Sequence, residues 1–277
     1  VQVEDPYRAL EEDSPQTWAW VDAQNAITQR YLDAHADPAA AERLASFMKI
    51  GWIASAALGG DRLFYVKREG DADQGSLMVA EAGAAPRTRV DPNTMDGKVA
   101  IDWSFPSPSG RYGAYGLSQN GDERSVLLVL DVETGTSRDE RIAHTKWTSL
   151  SWLEDETGFY YTRYPREGEP DWDAEKPDTY FVNLFFHALD AAADGSADSL
   201  VHRLERKTDF VGPAVSPDDR WLVLNVFRGW SESDVWLLDR TTEGAEPVAV
   251  DVGGDHLVVG DVHGDRLYLS TNEDHPR

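Results

Sequence analysis

The chain has 277 residues, of which 41% are hydrophobic, enough to form the core of one large domain or two small ones. Its 50 acidic and 26 basic side chains give a formal net charge of −24. This charge predicts a solvated acidic surface that repels nucleic acid and anionic membranes and attracts cationic peptides. The absence of cysteine excludes disulfides, thiolate metal sites and a cysteine nucleophile.

Targeting signals are scarce in this sequence. No apolar run approaches the roughly 18 residues of a membrane span, and no basic segment is followed by an apolar leader. Because the first residue is Val1 and not methionine, earlier removal of a leader stays open. We therefore expect a cytoplasmic location, with a periplasmic or secreted one as the alternative.

A helical segment is predicted for residues 1–48. Ser14 followed by proline is a good helix start, and apolar residues then recur at helical spacing. Asp37 followed by proline repeats this signal before an alanine-rich stretch, which should end near Met48. Neither helix carries residues in a catalytic pattern.

From Trp52 onward the sequence changes to short strands rich in Val, Leu, Tyr and Trp. A turn containing Gly or Asp precedes an apolar strand start five times, at intervals of 49, 47, 62 and 46 residues. These strand starts are Leu63, Tyr112, Phe159, Trp221 and Leu267. The spacing is typical of β-propeller blades, and the long interval predicts an insertion from Glu167 to Asp178.

The strand that follows these strand starts also has a recurring apolar sequence. This recurrence predicts four-stranded antiparallel blades for residues 49–277. The count is four blades and the start of a fifth. A propeller must close its ring to cover the flanking blades, so we expect this chain to be part of a longer one. Residues 272–277 are polar and read as an exposed turn where a protease could cut.

Five segments resemble the prolyl oligopeptidases, in the expected order along the chain. They are Asp5 to Asp13, Ala23 to Asn25, Val90 to Asn93, Phe105 to Gly121, and Arg228 to Glu232. One departure is Ala9, where the family usually has tryptophan, so the opening segment lacks a large packing group.

The resemblance implies a mostly all-β chain with about four and a half blades of a seven-bladed propeller. In the family this propeller caps an α/β-hydrolase domain, with which the N-terminal helical segment packs. That domain would lie outside this chain and be its partner in the same protein. The complete protein would be a monomer without a cofactor.

The activity implied by the resemblance is serine peptidase cleavage of short peptides on the carboxyl side of proline. The sequence has no Gly-x-Ser-x-Gly motif, and its seven histidines have no partner visible from spacing. No catalytic residue is therefore assigned within the chain. The propeller would act as a lid that excludes folded proteins and as part of the substrate pocket wall.

Resemblance to the family's pocket wall assigns three positions as substrate-binding. Trp147 and Trp230 occupy places where relatives have pocket residues, and a third position falls at Phe210 or Val211. Aromatic residues in strands more often pack in the core, so the alternative is that all of these residues pack between blades.

Three metal-like patterns are rejected, so no metal site is expected. Gly260 to Gly264 matches a phosphoesterase metal motif, but only 13 residues follow it, and a blade turn explains it better. The stretch Asp71 to Gly75 lacks the Glu of a calcium loop and reads as a hairpin loop. His256 and His263 should lie in separate strands.

Two other functions remain open. One is an oligopeptidase B-like peptidase, which shares the fold and cleaves after basic residues. The sequences of Ala23 to Asn25 and of Asp91 to Asn93 favour the prolyl enzyme. The other is a non-catalytic propeller scaffold, which would need a closed ring.

Overall fold

The computed structural model describes residues 4–274. The chain divides into two compact units between Gly51 and Trp52. The first unit is helical and the second consists of five antiparallel sheets. The predicted exposed turn at residues 272–277 lies partly outside the described residues, and Glu273 and Asp274 within it are exposed.

The first unit contains helices α1 (Pro15–His35) and α2 (Pro38–Met48). Both start at the predicted caps: the Ser14 side chain accepts a hydrogen bond from the Thr17 backbone at 3.2 Å, and Asp37 accepts one from Ala39 at 2.9 Å. Large apolar side chains of both helices are exposed, including Trp18. No helix of the described part is long and apolar enough to cross a membrane.

The second unit has strands that pair with their neighbours in chain order. The first sheet is β1 (Trp52–Gly59), β2 (Arg62–Arg68), β3 (Ser76–Glu81) and β4 (Arg87–Val90). The second sheet is β5 (Val99–Pro106), β6 (Tyr112–Gln119), β7 (Val126–Asp131) and β8 (Thr136–Ser137). The third sheet is β9 (Leu150–Trp152), β10 (Gly158–Arg163), β11 (Asn183–Ala188) and β12 (Ser199–His202).

The fourth sheet is β13 (Phe210–Val215), β14 (Trp221–Arg228), β15 (Glu232–Asp239) and β16 (Val248–Asp251). The fifth pairs β17 (Val258–His263) with β18 (Arg266–Thr271). These sheets are the predicted four blades and the start of a fifth, so the predicted fold class is confirmed. The five repeated turns precede the second strand of each sheet.

Neighbouring sheets pack face to face, which explains why central strands are apolar on both faces. On β14, Leu222 and Leu224 pack toward the third sheet, whereas Val223 between them packs toward the fifth. Successive side chains of a strand point to opposite faces, so an uninterrupted apolar strand fills two cores at once.

Two details correct the sequence-based expectations. Gly260 to His263 lie within β17, so only Gly264 of the rejected phosphoesterase-like motif is in a turn. His256 lies in the connection before β17 instead of in a strand, and His263 is at the end of that strand. The stretch Asp71 to Gly75 forms the predicted hairpin loop.

Candidate functional site

The first strands of the sheets run in the same direction. Their C-terminal ends meet, since the Trp152 indole donates to the Phe105 carbonyl at 3.0 Å and the Val215 amide donates to the Ser151 hydroxyl at 3.0 Å. Their N-terminal ends therefore share the opposite side. That side also holds the connections between second and third strands, at 69–75, 120–125, 164–182 and 229–231. We call it the hairpin side.

Trp147 lies on the hairpin side, just before β9. Its carbonyl accepts a hydrogen bond from the Thr162 hydroxyl at 3.4 Å, which holds the backbone beside the end of β10. The side chain is 58% exposed. Trp147 is thus not a core residue of the blade in this chain.

The third predicted position divides into two different environments. Phe210 and Val211 are the first residues of β13, opposite Phe227 and Val226 of β14. Because adjacent side chains of a strand alternate, Phe210 is 44% exposed on the hairpin side, whereas Val211 is 2% exposed in the core between blades. The geometry therefore favours Phe210 over Val211 for a surface role.

Trp230 occupies the tip of the hairpin that joins β14 to β15. The preceding Gly229 has a φ of +69°, a conformation that glycine adopts without strain and that lets the chain reverse in three residues. The Trp230 side chain is 98% exposed. Trp147, Phe210 and Trp230 therefore all lie exposed on the hairpin side of the third and fourth blades.

The predicted insertion forms a long connection on the same side, between β10 and β11. At its start, Arg163 makes a two-pronged ion pair with Glu169, with both N–O distances at 2.7 Å. Burial opposes ionisation of Glu169, but the bonds from Arg163 and the Arg166 backbone hold its pKa below the usual range. The pair closes residues 164–169 into a compact turn.

The far end of the insertion is held by His144. The His144 Nδ1 lies 2.6 Å from an Asp178 oxygen, and the Trp172 ring stands edge-on to the imidazole with centroids 6.0 Å apart. Burial, with Asp178 nearby, raises the pKa of Tyr164 to about 12, so this phenol stays protonated. These contacts order the insertion on the hairpin side near the segment that carries Trp147.

A cluster of charged residues that the sequence did not predict lies beside the start of β13, where Phe210 stands. Arg228 is ion-paired with Asp234 and lies 4.0 Å from Asp209, whose carboxylate is almost fully buried. Burial raises the pKa of Asp209, against the opposing effect of Arg206 and Arg228. Residues 209, 228 and 234 belong to different strand ends, so only the fold brings them together.

Three His–Asp pairs occur among residues 4–274, at His144–Asp178, His187–Asp198 and His256–Asp251. In the described part of the chain no serine hydroxyl is hydrogen-bonded to any of these imidazoles, so none forms a Ser–His–Asp arrangement. The only group of three possible metal ligands found among the same residues is Asp251, His256 and Glu273, also at strand ends on the hairpin side.

The fold defines a segment of a β-propeller, and the exposed aromatic residues define a candidate binding surface on its hairpin side. The sequence model of the prolyl oligopeptidase N-terminal β-propeller domain matches residues 1–277. This chain therefore belongs to the prolyl oligopeptidase family.

Relatives and solved structures agree with this assignment. A prolyl endopeptidase of Elizabethkingia meningoseptica is 29% identical over 99% of this chain and 39% of its own length. A prolyl endopeptidase structure, from work on inter-domain dynamics in catalysis and specificity, is 28% identical with a TM-score of 0.76 over 100% of this chain and 41% of that one.

The fold is also that of prolyl oligopeptidase B from Galerina marginata bound to a 25-residue macrocyclization substrate. That structure is 23% identical, with a TM-score of 0.80 over 100% of this chain and 42% of its own. The chain thus spans about two fifths of the length of the proteins it resembles.

Proposed function

We propose that this chain is the N-terminal propeller part of a serine endopeptidase that cleaves short peptides on the carboxyl side of proline. The observation that carries the proposal is the match of the family's propeller domain over all 277 residues. The named relatives are prolyl endopeptidases and a peptide-bound prolyl oligopeptidase, which supports an oligopeptide as substrate.

In this proposal the chemistry is acyl transfer by a Ser, His and Asp of a catalytic domain in the same protein, outside residues 1–277. The Ser attacks the carbonyl carbon of proline, and the His moves the serine proton to the amine of the following residue as the C–N bond breaks. Water then hydrolyses the acyl-enzyme and releases the peptide that ends in proline. No cofactor takes part. The blades restrict access to short peptides, and the exposed side chains of Trp147, Phe210 and Trp230 contact the part of the peptide preceding proline.

Aromatic side chains suit this role because the pyrrolidine ring of proline is apolar and makes the peptide locally stiff. An indole presents a large apolar face at little conformational cost, and burying it against substrate removes both surfaces from water. The proposal also includes a monomeric protein located in the cytoplasm, which sedimentation and cell fractionation would test.

The test uses the complete natural protein and a set of matched peptides of about ten residues. One carries a single internal proline, a second has alanine in its place, and a third has alanine there and a single arginine elsewhere. Mass spectrometry of the products should show one cut, after proline, in the first peptide alone. Treatment with a serine-directed phosphonate should abolish that cut.

Each alternative gives a different product pattern. An oligopeptidase B-like enzyme would cut the third peptide after arginine and leave the first intact. A binding scaffold would cut none of them while retaining the peptides in an equilibrium binding assay. Either pattern would overturn the proposed function.

A further inference from the structure

We propose that Asp251, His256 and Glu273 bind one divalent transition-metal ion, with Zn²⁺ as the best fit, which joins the fourth blade to the fifth. Asp251 ends β16 of the fourth sheet, and His256 lies in the connection to the fifth. Glu273 follows β18. The proposal does not depend on peptidase activity.

The ligand atoms are already close enough to share an ion. One nitrogen and two oxygens lie within 4.8 Å of one another, and the His256 Nε2 is 3.3 Å from an Asp251 oxygen. Ligands of a tetrahedral zinc ion are about 3.4 Å apart, as bond lengths near 2.1 Å require. His256 and Asp251 meet this spacing, and an oxygen of the exposed Glu273 side chain lies within 4.8 Å of both ligand atoms.

The imidazole is held in place before any ion binds. A Cβ atom at Gly254 would lie 2.2 Å from the His256 ring, so the ring packs directly against the Gly254 backbone. The His256 carbonyl accepts a hydrogen bond from the Ser233 amide at 3.1 Å. His256 is consequently largely buried while its Nε2 faces Asp251.

The segments that supply His256 and Glu273 are fixed relative to each other. The Leu257 amide donates to the Asn272 side chain at 2.8 Å, and the Asn272 amide donates to the Leu257 carbonyl at 3.2 Å. These bonds hold residues 256 and 273 at adjoining positions. Binding of an ion would therefore cost little ordering entropy for His256 and for the backbone of Glu273.

Charge also favours a cation here. Neither Asp251 nor Glu273 forms an ion pair with a lysine or arginine among residues 4–274, so two nearby carboxylates have only His256 between them. One imidazole nitrogen with two carboxylate oxygens suits Zn²⁺, Mn²⁺ or Fe²⁺, whereas Mg²⁺ and Ca²⁺ prefer oxygen ligands alone. Three protein ligands leave the remaining coordination position to water.

The experiment is calorimetric titration of the complete, EDTA-treated natural protein with ZnCl₂, beside the variants His256→Asn, Glu273→Gln and His263→Asn. His263 is the matched control, because it lies at the opposite end of β17. We expect one Zn²⁺ per protein, at least about tenfold weaker binding in both ligand variants, and unchanged binding in His263→Asn. Melting temperature should rise with Zn²⁺ except in the ligand variants.

A second readout identifies the nitrogen ligand. Co²⁺ in place of Zn²⁺ should give visible absorption bands that His256→Asn changes and His263→Asn does not. Absence of Zn²⁺ binding up to about 1 mM, or binding that both ligand variants retain, would overturn the proposal and leave only the contact between His256 and Asp251. Glu273 is exposed, so its variant should fold even if His256→Asn does not.

Discussion

Trp147 and Trp230 are exposed in places where a core role would have buried them. Truncating a buried tryptophan costs about 3–5 kcal/mol of stability, but exposed side chains contribute little to folding. Their exposure on the hairpin side leaves both indoles available to a ligand, as the proposed function requires.

We expect Trp147→Ala and Trp230→Ala each to lower kcat/KM about tenfold for long proline-containing peptides, or about 1.4 kcal/mol of transition-state binding. Minimal substrates that do not reach the propeller should be affected less, and melting temperature should change little. The measurements are steady-state kinetics on both substrate lengths, and thermal unfolding.

Trp221→Ala serves as the control for this pair. Trp221 starts β14 at the end opposite the hairpin side and stacks with Arg220 at 4.5 Å, so its loss should reduce stability and act equally on both substrates. If the Trp147 and Trp230 variants also lost stability and affected both substrates equally, their pocket role would be refuted.

A buried hydrogen-bonded group stabilises the third blade. The Tyr161 hydroxyl donates to Asp198 at 2.6 Å, and His187 Nδ1 lies 2.7 Å from the other oxygen of the same carboxylate. Burial and the Asp198 charge raise the pKa of Tyr161, so the phenol remains a donor throughout the physiological range. All three side chains are inaccessible to solvent.

We expect Tyr161→Phe to lower the free energy of unfolding by about 1–3 kcal/mol, because it leaves a buried carboxylate oxygen without its donor. Denaturant unfolding monitored by far-UV circular dichroism measures this change. Tyr268→Phe, at an exposed position of β18, is the matched control and should be neutral. Equal stability of the two variants would show that the Tyr161–Asp198 bond contributes nothing net.

At the scale of elements, the Arg163–Glu169 ion pair holds the start of the insertion between β10 and β11. The pKa of Glu169 is lowered when folded, so its contribution to stability is complete above the unfolded value of about 4.3 and is lost as pH falls through the folded value. The insertion should therefore loosen in acid before the blades unfold.

We expect Glu169→Gln to make cleavage within residues 164–182 about tenfold faster in limited proteolysis at pH 7, because Arg163 loses its charged partner. The variant should also lose the acid dependence of that cleavage between pH 5 and 3, assayed with an acid-active protease. Glu167→Gln, at an exposed position of the same connection, should behave like the natural protein. Unchanged cleavage in Glu169→Gln would contradict an anchoring role.

The elements themselves were predictable where local chemistry decides them. Ser14 and Asp37 cap the helices as their residue types suggest, and the repeated turns fix where second strands begin. Strand register was not predictable at the start of β13, because Phe210 and Val211 are adjacent and both apolar, so the sequence does not show which of them faces outward.

Only part of the candidate site could be predicted from the sequence. Trp147 and Trp230 were singled out by resemblance, and the structure supplies their exposure and common side, while their contact with substrate stays a prediction. The Asp209–Arg228–Asp234 cluster could not be found from sequence, since its members come from three strand ends that only sheet pairing brings together.

At the scale of the whole molecule, apolar side chains are exposed on the first and fifth sheets. Ile53 and Leu58 of β1 and Tyr268 and Leu269 of β18 are all exposed, although they belong to strands. In a propeller such faces are covered by a neighbouring blade. A two-stranded fifth sheet also presents unpaired backbone groups along its free edge.

We expect a polypeptide of residues 1–277 produced alone to self-associate, because apolar strand faces and free edges pair with other copies. Size-exclusion chromatography with light scattering should show species larger than 30.8 kDa. Replacing Ile53, Leu58, Tyr268 and Leu269 by threonine should reduce this association, since threonine keeps strand propensity while removing apolar surface. Val248→Thr with Val250→Thr, at exposed positions of β16, is the control and should leave association unchanged. A monomer with a sharp, cooperative thermal transition would contradict the prediction, because it would mean that these faces are satisfied within residues 1–277.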